Sequence, residues 1–217
     1  MEPPPFRVLS GLEHTSHGAL ALALSAEFGA VEMADVEGAL TGLAERLAPA
    51  ADREPTAQLA CVGSLLAGHL VSTHTRSSTS LDDLRFDRVA INGTGHPIVC
   101  ALVAVEAARI AGIDLGLVAS RAAGYVGSPA AGAPMLLAPG GGWHTVDARA
   151  LGDPNLAWHC PHEAAGIVLG MLLARAKRTG LVGVQVRAAE LCLELPVDED
   201  EKHRLHLQLA KVRARLN

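Results

Sequence analysis

Six aromatic residues (Phe6, Phe28, Phe86, Tyr125, Trp143 and Trp158) are all that 217 positions offer as large ring side chains for a core. Hydrophobic residues nevertheless make up 49% of the chain, so its interior has to be filled with Ala, Leu and Val. Small side chains let helices approach closely, and tight helix packing is the expected outcome. With only 19% charged residues, the low-hydropathy composition of a disordered chain is absent. At about 150 residues per domain, the length suits one elaborated domain or one domain with helical extensions.

The formal net charge is −5, and no basic run is long enough to follow a phosphate backbone, so nucleic acid is not an expected partner. The most apolar window, Ala164 to Ala174, lies between Glu163 and Arg175. It falls well short of the ~20 residues of a bilayer-spanning helix, so no membrane partner is expected either. Met1 to Gly18 is Pro-rich, carries two acids and lacks the basic-then-apolar order of a signal peptide, which makes a cytoplasmic location the expectation. The cysteines Cys61, Cys100, Cys160 and Cys192 are scattered without paired spacing, as reduced thiols are.

After an irregular Pro-rich start, Val36, Leu40, Leu43 and Leu47 recur at helical spacing behind Asp35, a candidate N-cap, and stop before Pro49. A second helix is expected from Thr56, with Leu59, Val62, Leu66 and Leu70 on its apolar side. Ser72 to Arg88 reads as a polar connection. The turn-rich run Ile91 to His96 leads to Pro97, where a mostly apolar helix should start and run to Ala111, with Gly112 as its cap. Leu115 to Ser120, Met135 to Ala138 and Trp143 to Asp147 read as short strands, with Pro139 to Gly142 as a hairpin loop between the last two. The remainder reads as helices over Pro161 to Arg178, broken by Gly180 and Gly183, then Val184 to Leu195, then a last helix. That last helix is opened by an Asp198/Glu201 capping box and striped by Leu205, Leu209, Val212 and Leu216. The expected class is α+β: one central helix against a small antiparallel sheet, flanked by N- and C-terminal helices. Three segments are expected: helices and a linker over 1–88, the α+β core over 89–156, and a helical segment over 157–217.

This order of parts, with Gly95-His96-Pro97-Ile98 opening an Ala-rich helix that ends Ala-Arg-Ile-Ala-Gly-Ile (Ala108 to Ile113), resembles the SirB1 type of transglutaminase-like protein. The stretch from Met171 to Leu216 is similar to that family's tetratricopeptide-like tail, shortened. The resemblance implies a papain-like core built for cysteine acyl transfer: a thiolate at the start of the core helix, a His on the next strand and an Asp on the one after. A helix N-terminus favours a thiolate, a His takes its proton and an Asp orients the His. Here Pro97 occupies the position of the nucleophile, as is common in the SirB1 type. Tyr125 stands where the His of the strand motif would be, and a phenol with a pKa near ~10 is a poor base at neutral pH. Asp147, in Trp-His-Thr-Val-Asp, keeps the expected position, but Ala148-Arg149 replaces the Pro-Phe that often follows it.

Cys100 lies about one helical turn beyond Pro97 and faces nearly the same way, which makes it the candidate replacement nucleophile. The helix dipole fades after the first turn, however, and burial keeps a thiol neutral. His96 could act at the helix mouth, and its alternative role is that of a capping residue. His144 is separated from Asp147 by strand alternation, which should point the two apart. A metal reading rests on His159, Cys160 and His162, with His14 and His17 as a further pair, although neither spacing is a recognised structural zinc pattern. The glycine run precedes a strand, not a helix, and so makes no phosphate cradle. No cofactor or metal is expected.

The degenerate Cys-His-Asp set points to a binding, scaffold or regulatory role, with an unidentified protein or small-molecule acyl or amide ligand as partner. The alternative is a cysteine-dependent acyl transferase or amide hydrolase using Cys100 with His96, Tyr125 and Asp147. A metal-binding role through His159, Cys160 and His162 is the third reading.

Overall fold

The computed structural model describes residues 2–73, 80–120, 123–131 and 134–214. Along the chain the helices are α1 (Phe6–Ser10), α2 (His17–Ala26), α3 (Met33–Leu47), α4 (Pro55–Leu66), α5 (Phe86–Asn92), α6 (Pro97–Ile110), α7 (Pro161–Thr179), α8 (Val182–Leu193) and α9 (Glu199–Arg213). The strands are β1 (Val71–Ser72), β2 (Thr94–Gly95), β3 (Gly116–Ala119), β4 (Gly124–Gly127), β5 (Met135–Ala138), β6 (His144–Asp147) and β7 (Ala157–His159). The fold is mixed α+β, with a small antiparallel sheet among several helices. It divides into two compact units, 32–160 and a second made of 1–31 with 161–217. The boundaries expected from sequence fall elsewhere: residue 88 lies inside α5, and 156 immediately precedes strand β7.

In the unit 32–160, α6 is the central element. Every residue from Ile98 to Ala108 is buried, because α3 and α5 pack on one side of the helix and β3 and β4 on the other. The Ala-rich sequence makes this possible. Ala101, Ala104, Ala107 and Ala108 leave the helix narrow enough to be enclosed on all sides. Its end is the one expected: Gly112 takes a positive φ of 74°, and the Ile113 N–H returns to the Ala108 carbonyl at 2.8 Å. The sheet has the order β6-β5-β4-β3-β7, antiparallel throughout. Leu117, Val126, Leu137 and Thr145 form one row on the face toward the helices, while Val118 with its partners Tyr125 and Trp158 lies on the other face. Helix α4 packs against β5 and β6, and the glycine run between these strands is their hairpin loop.

Several elements depart from the sequence reading. The polar connection from Ser72 to Arg88 contains a short 3-10 turn and the first three residues of helix α5, which runs on to Asn92 with Phe86, Val89 and Ala90 buried; residues 74–79 of the connection lie outside the described set. Three charges in four residues disguise that helix. Asp87 is 1% exposed and receives two hydrogen bonds from Arg85, at 3.1 and 2.8 Å, so the charges neutralise one another inside. Strands β1 and β2 pair in parallel, Val71 with Thr94 and Ser72 with Gly95. Asp35 sits within the first turn of α3, not at its cap, which is Glu32. Leu70 is fully buried but lies beyond the end of α4.

The second unit is all helical in its described residues. Helix α1 packs on α2, α2 on α7, α7 on α8 and α8 on α9. The irregular start expected ahead of the helix behind Asp35 in fact holds α1 and α2, the latter capped by the Ser16 hydroxyl accepting from the Ala19 N–H at 3.0 Å. Alternating Ala and Leu (Ala19 to Ala23) carry no helical period, which hid α2 from a periodicity argument. Gly180 ends α7 at φ 70°, whereas Gly183 lies inside α8. The Asp198 side chain caps α9 as expected, accepting from the Glu201 N–H at 2.7 Å. Leu205, Leu209 and Val212 of its stripe are buried, and Leu216 is outside the described residues. Arg187 of α8 joins Glu27 at 2.6 Å and Glu190 at 3.3 Å, and Glu190 also meets Arg213 of α9 at 2.7 Å. No helix among the described residues is long and apolar enough to cross a membrane.

Candidate functional site

The start of α6 is tied down by backbone. Val71 N–H donates to Gly93 O and Thr73 N–H to Gly95 O, both at 2.7 Å, and His96 N–H donates to Asp83 O at 2.9 Å. His96 is the N-cap: its backbone is extended, and its Nδ1 accepts from the Ile98 N–H at 3.3 Å. The ring nitrogen nearest the helix mouth is thereby engaged in capping. Cys100, one turn further in, is 0% exposed. Its Sγ is directed at two carbonyls of the small parallel sheet, Gly95 O at 3.5 Å and Val71 O at 3.7 Å. Burial pushes this thiol up to about 12, against a smaller opposing effect of its hydrogen bond to Gly95. A nucleophilic cysteine needs the reverse.

Tyr125 does not face this helix. On β4 the position directed at the start of α6 is Gly124, where an added Cβ would lie 2.8 Å from the Ile98 Cα. Strand alternation therefore sends Tyr125 to the opposite face of the sheet. Its phenol is raised above the ordinary value, first by burial and then by the charge of Asp153. Asp153 itself is held low, chiefly by the Ser120 hydroxyl. The acid electrostatically coupled to Tyr125 is thus Asp153 and not Asp147.

Asp147 pairs with Met135 across β5, whereas Tyr125 falls level with Ala138. The two are therefore about 10 Å apart along the strands and about 10 Å across them, on opposite faces. The Asp147 carboxylate is occupied at the end of β6, where it accepts from the Arg149 N–H at 2.8 Å. His144 and Asp147 point to opposite faces, as alternation requires. Cys100, Tyr125 and Asp147 are thus not brought together, and His96 joins Cys100 only through the helix start. As for metal, no group of three His, Cys, Asp or Glu side chains among the described residues is placed to hold an ion. His159 lies on β7 with its Nε2 3.0 Å from the Ala119 carbonyl.

The sheet face that carries Tyr125 holds what the sequence reading missed, a groove of about 690 Å3. Val118 and Leu136 form its floor, Met135 and Leu156 its apolar walls, and Ser128 and Arg149 its polar points. Trp158 lines it too and is 51% exposed. The indole crosses two glycines that are paired with one another, Gly116 and Gly127. An added Cβ would lie 2.7 Å from the ring at the first and 2.8 Å at the second. Only glycine at both positions lets the ring lie this close to the sheet. The signal available in the sequence was the lone exposed-type Trp158 with glycines at alternate strand positions, but the register that joins them is not local.

No family model, curated protein or solved structure matches this chain.

The Cys100 thiol has a measurable consequence. Below pH 9 both the folded and the unfolded thiol hold their proton, so Cys100 adds nothing to the pH dependence. Between pH 9 and about 12 the unfolded thiol ionises while the folded one does not. Stability then falls as pH rises, by up to ~1.4 kcal/mol per pH unit. Denaturant melts from pH 8 to 11 should show this loss, and Cys100→Ala should make it shallower, the part that remains coming from buried Cys192, whose thiol is pushed up to about 11. A slope unchanged by that substitution would place the alkaline loss elsewhere.

Proposed function

We propose that this chain is a SirB1-like member of the transglutaminase-fold proteins that binds and does not transfer acyl groups. The order of α6 followed by the antiparallel strands β3 to β6, with the hairpin-connected helices α7 to α9 after them, supports the resemblance. The observation that carries the non-catalytic reading is the position of the Cys100 sulfur, sealed from solvent and hydrogen-bonded to the Gly95 and Val71 carbonyls. Pro97 at the nucleophile position and Tyr125 on the opposite sheet face agree with it. A binding or regulatory role leaves the α6 start as structural framework.

Thiol alkylation of the native protein near neutral pH tests this, with modified peptides quantified over time. Cys160 is exposed, Cys61 is intermediate, and Cys100 and Cys192 are buried. The expected order is Cys160 first, Cys61 more slowly, and Cys100 and Cys192 only after denaturant. Modification of Cys100 at a rate matching or exceeding that of Cys160 would reinstate an enzymatic centre.

A further inference from the structure

We propose that the groove on the Trp158 face of the sheet is a binding site for a small planar carboxylate, an aromatic or conjugated acid. The inference supplies a ligand for the binding role above, and to that extent rests on it. Its observations, however, lie on the sheet face opposite α6.

Three features define the ligand. First, the floor is apolar and the indole of Trp158 is a flat platform, fixed from beneath by Gly116 and Gly127 and half open above. A ring ligand stacks on such a surface in an offset arrangement, without the cost of ordering the indole. Second, Arg149 lines the groove with no carboxylate among the lining residues, and no ion pair holds it among the described residues. A guanidinium in this setting takes a carboxylate with two parallel hydrogen bonds. Third, Ser128 is 5% exposed and also lines the groove. Its hydroxyl oxygen is buried with no hydrogen-bond partner among the described residues. A buried hydroxyl without a partner is unfavourable, and a ligand oxygen arriving in the groove relieves it. The volume is that of a small-molecule site.

Isothermal titration of the full chain with 2-naphthoate, and with 2-naphthamide as the neutral isostere, provides the test. The acid should bind at least tenfold more tightly than the amide, the size expected of a charge-assisted hydrogen bond. Arg149→Gln should remove that preference by weakening the acid and leaving the amide unchanged. Trp158→Ala should weaken both. Ser128→Ala should weaken the acid severalfold while leaving the melting temperature equal or higher, since it deletes a hydroxyl that has no partner in the fold. Arg149 and Trp158 are exposed, so their variants are expected to fold, and circular dichroism verifies this. Equal affinity for acid and amide, no heat with either up to about 1 mM, or an Arg149→Gln variant that still prefers the acid would each overturn the proposal. A reactive Cys100 would refute the non-catalytic reading and leave this site standing. A silent titration with an inert Cys100 would do the opposite.

Discussion

Asp87→Ala should destabilise the sheet-bearing unit by about 3–5 kcal/mol, the usual cost of removing one partner from a buried ion pair. Asp87 is 1% exposed and Arg85 is 7% exposed. Their bidentate contact at 3.1 and 2.8 Å neutralises two charges where the 3-10 turn Asp82–Leu84 meets helix α5, Arg85 at the helix cap and Asp87 in its first turn. Deleting the carboxylate removes the charge that Asp87 sets against the buried Arg85 guanidinium, and both of its hydrogen bonds to it. Arg88 offers no relief: it is itself a cation, 3.6 Å from the same carboxylate and 42% exposed through its side chain. Asp87→Asn should cost less than Asp87→Ala, because the amide oxygen still accepts one hydrogen bond. The double variant Arg85→Met with Asp87→Leu should recover much of the loss, since apolar replacement of a buried pair is often neutral. Urea unfolding of these proteins ranks the losses, and the single variants Arg85→Met and Asp87→Leu, measured beside the wild type and the double, complete a double-mutant cycle. A loss below about 1 kcal/mol for Asp87→Ala would show the pair to be solvated in solution.

That same pair explains why part of the fold was not legible in the sequence. Helix α6 announced itself, because Pro97 at its first position, the continuous apolar run and Gly112 are local signals that agree with the packing. Strands β5 and β6 were legible for the same reason, each bounded by Pro or Gly. Helix α5 was not, since the charged Asp87 is buried among Phe86, Val89 and Ala90, and only its tertiary pairing with Arg85, the residue before the helix, makes it core-compatible. Strand β7 escaped because three residues before Pro161 carry too little pattern to outweigh the helix that follows. In the candidate site, the burial of Cys100 was legible from its place inside the continuous apolar run of α6. The face of Tyr125 could not be read in advance. It depends on Gly124 meeting Ile98, a contact across 26 positions (124 minus 98) that strand alternation alone does not specify. The groove is the extreme case. Val118, Ser128, Arg149 and Trp158 come from four separate segments, and only the register Val118–Trp158 and Gly116–Gly127 gathers them.

Trp143 should be the other residue whose loss is felt most, and the order of its variants is diagnostic. It is 3% exposed, yet its backbone adopts φ 62°, a left-handed conformation that non-glycine residues rarely hold. What compensates is the indole. Its Nε1 donates to the Leu70 carbonyl, and the Trp143 carbonyl lies so close to α4 that a Cβ on Gly63 would collide with it. The tryptophan thus joins the β5–β6 hairpin loop to α4 and to the residue that precedes β1. Trp143→Ala should cost about 3–5 kcal/mol from lost burial and the cavity left behind. Trp143→Phe should cost less but still leave the Leu70 carbonyl without its donor, about 1–3 kcal/mol. Trp143→Gly removes as much side chain as alanine does, and one carbon more, yet it should be the more stable of the two by roughly 1 kcal/mol, since glycine holds the left-handed backbone without strain. Thermal melts of the three variants therefore separate packing from backbone strain. If alanine proved more stable than glycine here, the left-handed conformation at residue 143 would not persist in solution, and the indole's grip on Leu70 would have to be explained without it.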